Sequence, residues 1–267
     1  ARGALHSYAR ADIFDRVKEA VGQGCYEIQL TAQDTASYGL DRNSSLPDLL
    51  KKIISINGDY MLRIGMMNPR TAKRIQNELS LLFQHEHIYS FLHLPIQSGD
   101  NTVLEKMNRG YRIEEVYDLI ENCRNTNSDL TLSTDVIIGY PGETKNQYEK
   151  TKCMLEDIEP DIVNITRFSA RPHTKAKSMK DRIPTEIVKN RSRDLSKFCK
   201  RIMIKRNNRY IGKTMNVTSL KKGDGNSILC RSKNYKPVVI KKPVSLGEKI
   251  IVEIVDATDT HLVGMLK

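Results

Sequence analysis

Several short apolar runs in the first two-thirds of the chain each end in a few polar residues of an uncommon kind. The runs are followed by Ala32-Gln33-Asp34, Met66-Met67-Asn68, Pro95-Ile96-Gln97-Ser98-Gly99, Gly139-Tyr140-Pro141-Gly142, and Arg167 with Ser169, while Asp135 stands inside the fourth run. Neutral amides and hydroxyls match the donors and acceptors of a zwitterionic or nucleoside ligand, whereas hydrolysis would need poised carboxylates or histidines. No side chain qualifies as a catalytic acid or base. His93 reads as a satisfied core residue, and His85 and His87 as loop residues. The five cysteines (Cys25, Cys123, Cys153, Cys199, Cys230) lie far apart with no CxxC spacing. They read as reduced thiols used for packing, with no metal ligand among them.

The elements that must position these residues alternate. Strand-like runs YEIQLT (26–31), MLRIG (61–65), FLHL (91–94), LTLSTDVIIG (130–139) and DIVNITRFS (161–169) are separated by stretches of helical period, among them PRTAKRIQNELSLLF. Such alternation predicts right-handed βαβ units and a parallel sheet, whose strand ends converge on one rim. Five strands are too few for an eight-stranded barrel, and the chain starts on a helix. The expected fold is an α/β partial barrel lacking its first strand, over residues 1–207 with a long basic helix from about Thr185 to Arg209. Residues 208–267 change texture to short β-rich runs between turn signals, which predicts a five-stranded antiparallel barrel.

The 267 residues are 39% hydrophobic with a net charge of +11. No apolar stretch is long enough to span a membrane, and ARGALHSYARAD lacks a signal-peptide core. A cytoplasmic protein with no membrane partner is expected. Residues 171–213 hold 15 Lys and Arg against Asp181, Glu186 and Asp194, so the rest is nearly neutral. One concentrated basic segment reads as a polyanion footprint, with nucleic acid the first choice over a solvated face. The candidate RNA-binding residues are Lys200, Arg201, Lys205, Arg206 and Arg209 on the helix, and Lys221, Lys222, Lys241 and Lys242 at barrel turns.

The stretches YEIQLTAQDTASYGLD, LRIGMMNP, FLHLPIQSGDNTVLEKMNRGY, TDVIIGYPGET and FSARPHTKA, in this order, resemble the radical S-adenosylmethionine methylthiotransferases. The last sixty residues are similar to the TRAM domain (an OB-like barrel) that ends those enzymes. HLPIQSGD and ARPHT look like the tRNA-modifying branch, and GMMNP looks like the archaeal and eukaryotic group acting on N6-threonylcarbamoyladenosine. His173 stands where the family usually has Gly.

The resemblance implies a 5′-deoxyadenosyl radical made from S-adenosylmethionine, hydrogen removal from C2 of an adenine beside the tRNA anticodon, and insertion of a methylated sulfur. It implies two 4Fe–4S clusters whose ligands lie outside this chain, because neither the CxxxCxxC loop nor the other three family cysteines are in the sequence. It implies tRNA and an electron donor such as flavodoxin or ferredoxin as partners, and a monomer. Gln33, Gln97 and Ser98 are the leading candidates for S-adenosylmethionine contacts. Asn68, Asp135, Arg167 and Gly139 complete the set. The alternatives are a methylthiotransferase acting on a ribosomal-protein aspartate, and a non-catalytic tRNA-binding remnant.

Overall fold

Each apolar run becomes a parallel strand because its branched side chains can be buried on the face that helices cover. The computed structural model describes residues 3–170, 179 and 181–267; Ala1-Arg2 and most of the ARPHT stretch with His173 lie outside the described residues. Strands β1 (Glu27–Leu30) and β2 (Met61–Ile64) pair in parallel, as do β3 (Phe91–His93), β4 (Thr131–Ile138) and β5 (Ile162–Arg167). A parallel bridge from Leu62 to Ile88 joins the two groups, so the strands follow one another in chain order.

The helices pack outside: α1 (Arg10–Gly22), α2 (Leu46–Ile53), α3 (Pro69–Ala72), α4 (Gln76–Leu82), α5 (Asn101–Lys106), α6 (Ile113–Thr126), α7 (Lys145–Ile158) and α8 (Thr185–Asn208). Their caps are written locally. Ser45 accepts the Asp48 amide at 3.2 Å, and Thr144 and Gln147 cap each other's backbone at the start of α7, as side-chain oxygens do for orphan N–H groups. The long helix expected over PRTAKRIQNELSLLF is instead α3, a 3-10 turn (Lys73–Ile75) and α4, and α5, capped by Asp100, was not expected. The main core lies between helices and strands, with Leu50, Ile53, Leu62, Leu92, Leu132, Val136 and Ile138 among its sealed members.

Alternation then sends the other set of strand residues inward. At the foot of the inner face Met61, Tyr89 and Phe91 form a small apolar cluster with Tyr26, Ile162 and Tyr235. Above it the inner face is polar.

The small barrel closes in the order β10-β8-β7-β6-β9, with β6 (Thr214–Lys222), β7 (Ile228–Ser232), β8 (Pro237–Ile240), β9 (Lys249–Ala257) and β10 (Leu262–Leu266). One closing pair corrects the antiparallel expectation: β10 and β8 are parallel. A ring of five strands cannot alternate direction all the way round. The turn between β7 and β8 presses against the start of the strand chamber: the Ser90 amide donates to the Lys233 carbonyl at 3.0 Å, and Lys233 donates Nζ to the His85 carbonyl at 2.6 Å.

Candidate functional site

The rim is stitched together by side chains at the strand ends. Asp34 accepts the Asn68 amide at 3.0 Å and the Thr71 hydroxyl at 2.7 Å, and Thr35 donates to the Gly65 and Met66 carbonyls. Asn68 also caps α3, its Oδ1 accepting the Arg70 amide at 3.0 Å, which leaves its amide nitrogen as the group that could meet a ligand. Gln33 stays exposed on the same loop, and Arg167 is exposed at the end of β5.

Gln97 takes a left-handed backbone (φ +78°) as the chain leaves β3. Its amide donates to the Asp135 carbonyl and its carbonyl accepts from Ile137, at 2.8 and 2.9 Å, so its backbone extends the sheet and its side chain is nearly buried. Ser98 is sealed: its hydroxyl lies 3.4 Å from Thr151 on α7 and accepts the Asp100 amide at 3.2 Å. That is the helix side of the sheet, and the close approach of Gly99 explains it. A Cβ there would stand 2.5 Å from the Lys150 carbonyl, so the loop is drawn onto α7 and Ser98 with it. Ser98 shapes the loop; it does not face the chamber.

The turn after β4 answers to α8 as well as to the chamber. The Glu143 carboxylate accepts the Gly139 amide at 3.1 Å and pairs with Arg191 of α8 at 2.8 Å. Burial pushes this carboxyl above its usual range, against the opposing pull of the Gly139 amide and Arg191. A Cβ on Gly139 (φ +82°) would lie 2.6 Å from Val188, so that face of Gly139 belongs to helix packing, leaving only the rest of its backbone for a ligand.

Deeper in, three neighbouring strands bring one cluster together. Asp135 of β4 lies 3.2 Å from Nε2 of His93 on β3 and accepts from Asn164 Nδ2 on β5 at 2.7 Å. Burial works to raise the Asp135 carboxyl, but the His93 and Asn164 hydrogen bonds outweigh it and hold it below the usual carboxylate range. His93 is thus satisfied, as expected, yet its side chain faces the chamber and remains 16% exposed. Arg63 on β2 donates to Gln29 on β1 at 3.4 Å. Sequence reading set His93 aside as a core residue and passed over Asn164 and Arg63. Their signal was present in the alternation: each is out of phase with the apolar residues that its strand gives to the helix-side core, Leu62 and Ile64, Leu92 and Leu94, Val163 and Ile165.

The basic residues divide. Arg206 is buried and donates to Asp161 at 3.1 Å, as does Lys236 at 2.7 Å, which removes Arg206 from any RNA surface. Two cations facing one carboxylate hold Asp161 below the usual range although burial pulls the other way. Lys236 Nζ is buried with it, donating to Asp161 and to Asn207 Oδ1, each at 2.7 Å. Lys205 pairs with Glu159 and Lys200 with Asp259 at 3.6 Å. Arg201 lies 5.6 Å from the Phe198 ring, and Arg209 donates to the Arg206 carbonyl. Much of the basic helix is neutralised within the fold. Lys221, Lys222, Lys241 and Lys242 are exposed, and the register Lys222–Ile228–Ile240 gathers them at one end of the small barrel.

Among the described residues no three His, Cys, Asp or Glu side chains come together as a metal site, and Cys123, Cys199 and Cys230 are buried. No helix among the described residues is long and apolar enough to cross a membrane.

Residues 1–152 match the Radical SAM superfamily profile. Over its whole length the chain is 42% identical to a protein of Archaeoglobus fulgidus named probable threonylcarbamoyladenosine tRNA methylthiotransferase, covering 62% of it. It is 31% identical over 99% of its length to the human threonylcarbamoyladenosine tRNA methylthiotransferase, covering 46% of that protein. The chain thus spans at most about three-fifths of these relatives. Among solved structures, coproporphyrinogen III oxidase of Escherichia coli, described as a radical SAM enzyme, aligns over 97% of this chain and 65% of its own with a TM-score of 0.55 at 12% identity. That likeness concerns the fold alone.

Proposed function

The chain belongs to the Radical SAM superfamily, and on that premise we propose that it is the barrel and C-terminal part of a tRNA methylthiotransferase. Its reaction adds a methylthio group to C2 of N6-threonylcarbamoyladenosine next to the anticodon. The observation that carries this reading is the likeness along all 267 residues to relatives bearing that name. The same likeness disfavours the ribosomal-protein alternative.

When bound, S-adenosylmethionine and an iron–sulfur cluster would supply the radical chemistry needed at the C2–H bond. The residues here fit the ligand but not the cluster. Gln33 and Arg167 on the rim, with Gln97 and Asp135 beneath it, offer amide, guanidinium and carboxylate groups, whereas the cysteines are scattered. The ligands of two 4Fe–4S clusters therefore belong to the part of the relatives that this chain does not span. His93, Asp135 and Asn164 form the chamber wall that orients the base. The small barrel is read as a TRAM domain, residues 208–267, joined to a radical SAM core at 1–207. Its lysine end holds the tRNA backbone, with Lys200, Arg201, Lys205 and Arg209 in support. A cytoplasmic monomer reduced by a flavodoxin or ferredoxin completes the proposal.

The test is direct. The full-length protein, reconstituted anaerobically with iron and sulfide, is given S-adenosylmethionine, dithionite and tRNA carrying threonylcarbamoyladenosine. Mass spectrometry of the digested nucleosides is expected to show the methylthio product. Cleavage of S-adenosylmethionine with no modified nucleoside on any tRNA would reject the reading.

A further inference from the structure

The turn between β7 and β8 carries Tyr235, in left-handed backbone at φ +62°, out of the small barrel and into the foot of the chamber. Its ring centre lies 4.8 Å from that of Tyr89 and 4.7 Å from that of Phe91. Two guanidinium groups face the same ring, Arg231 at 4.1 Å and Arg63 at 5.3 Å. Arg63 also lies 5.0 Å from the centre of Phe91. One arginine thus touches an aromatic ring from each domain.

Arg63 points inward, since its strand neighbours Leu62 and Ile64 belong to the helix-side core. It is poorly satisfied. Its one hydrogen bond, to Gln29, is 3.4 Å long, and its Nε is buried with no partner. It has no ion pair among the described residues. The nearby carboxylates form no ion pair with it: Glu27 accepts from Gln29 at 2.8 Å, from Tyr89 at 3.2 Å and from the Tyr235 hydroxyl at 3.5 Å, and Asp135 is held by His93 and Asn164. A half-buried guanidinium without a direct ion pair is costly, and stacking on two rings offsets only part of that cost. Its planar fork of donors fits a carboxylate.

We propose that Arg63 is the anion-binding residue of the chamber, taking a ligand carboxylate, and that Tyr235 of the small barrel is the positioning residue that holds its guanidinium in place. This rests on the function proposed above, which brings two carboxylates of the same chemistry: one on the methionyl part of S-adenosylmethionine, one on the threonyl group of the nucleoside.

Binding to the full-length protein with its clusters in place separates the two. Calorimetry would compare S-adenosylmethionine with its decarboxylated analogue, and an anticodon stem-loop bearing threonylcarbamoyladenosine with the same stem-loop blocked as the methyl amide. Arg63→Met is expected to weaken one carboxylate ligand by about tenfold or more while changing its neutral counterpart by less than about twofold; the affected pair names the source. Tyr235→Leu, which keeps the site filled, should reproduce that loss, and Tyr235→Phe should not. In the Arg63→Met background Tyr235→Leu should add nothing. Equal effects on charged and neutral ligands, or no effect, would overturn the anion site. Losses that add in full would overturn the positioning role, because a merely structural Tyr235 acts independently of Arg63. Product formation by the wild type in the same preparation reports on the methylthio reading separately; carboxylate discrimination that survives without product leaves Arg63 assigned.

Discussion

At Asp161 one carboxylate holds two domains. It accepts from Arg206 of α8, from Lys236 of the small barrel, and from the Leu132 amide at 2.9 Å. Replacing it with Ala strands two buried cations, so Asp161→Ala should cost about 3–5 kcal/mol in chemical unfolding. The sign of the pH effect follows from its lowered pKa. The folded value lies below the unfolded value of about 3.9, so the contribution is complete above that pH and is lost as pH falls through the folded value. Asp161→Asn should therefore lack part of the acid limb of stability; coincident limbs in wild type and variant would exclude Asp161 from it. At the rim, Gln97→Ala should lower S-adenosylmethionine affinity by about 1 kcal/mol. Ser98→Ala should lower thermal stability with affinity unchanged, since its hydroxyl serves α7 and the loop. The opposite split in calorimetry would put Ser98 back at the ligand.

Helix α8 runs from the rim, where Val188 covers Gly139, to the foot of β5, where Arg206 meets Asp161. Gly139→Ala faces both a left-handed φ and a clash with Val188, and should cost on the order of 2–4 kcal/mol. Adding Val188→Ala should recover only the steric part, a partial rescue readable in urea melts. The same helix bears on RNA binding. With Lys205 on Glu159 and Arg206 on Asp161, changing that pair to Ala should destabilise the fold before it alters any salt dependence. Changing Lys221, Lys222, Lys241 and Lys242 to Ala should flatten the slope of log affinity for tRNA against log salt by roughly 0.7–0.9 for each phosphate no longer neutralised. Parallel slopes in filter binding would take the lysine end out of the tRNA surface.

As a whole the molecule is joined by more than a linker. Beside the Asp161 group, Thr218 donates to Tyr26 at 2.8 Å, Lys249 pairs with Asp59 at 2.6 Å, and Tyr235 fills the foot of the chamber. Scanning calorimetry should show one cooperative transition for both domains, and removal of residues after 208 should lower the melting temperature of the remainder. Two independent transitions would mean that the interface is weak. The strands, most of the helices outside them and the small β-barrel, though not the break between α3 and α4 or the short α5, were legible in the sequence because period and turn chemistry are local. So was the list of polar strand ends, and Gln33 and Arg167 do stand exposed there. What those residues do was decided in three dimensions. Asn68 became a cap, Ser98 turned to α7, and Arg206 was drawn inward by a carboxylate 45 residues away. The cluster of His93, Asp135 and Asn164, and the meeting of Arg63 with Tyr235, depend on strand register and domain docking. A sequence sets each residue's chemistry and local geometry, but which charges neutralise each other depends on distances of a few ångströms between segments far apart in the chain, and only packing fixes those.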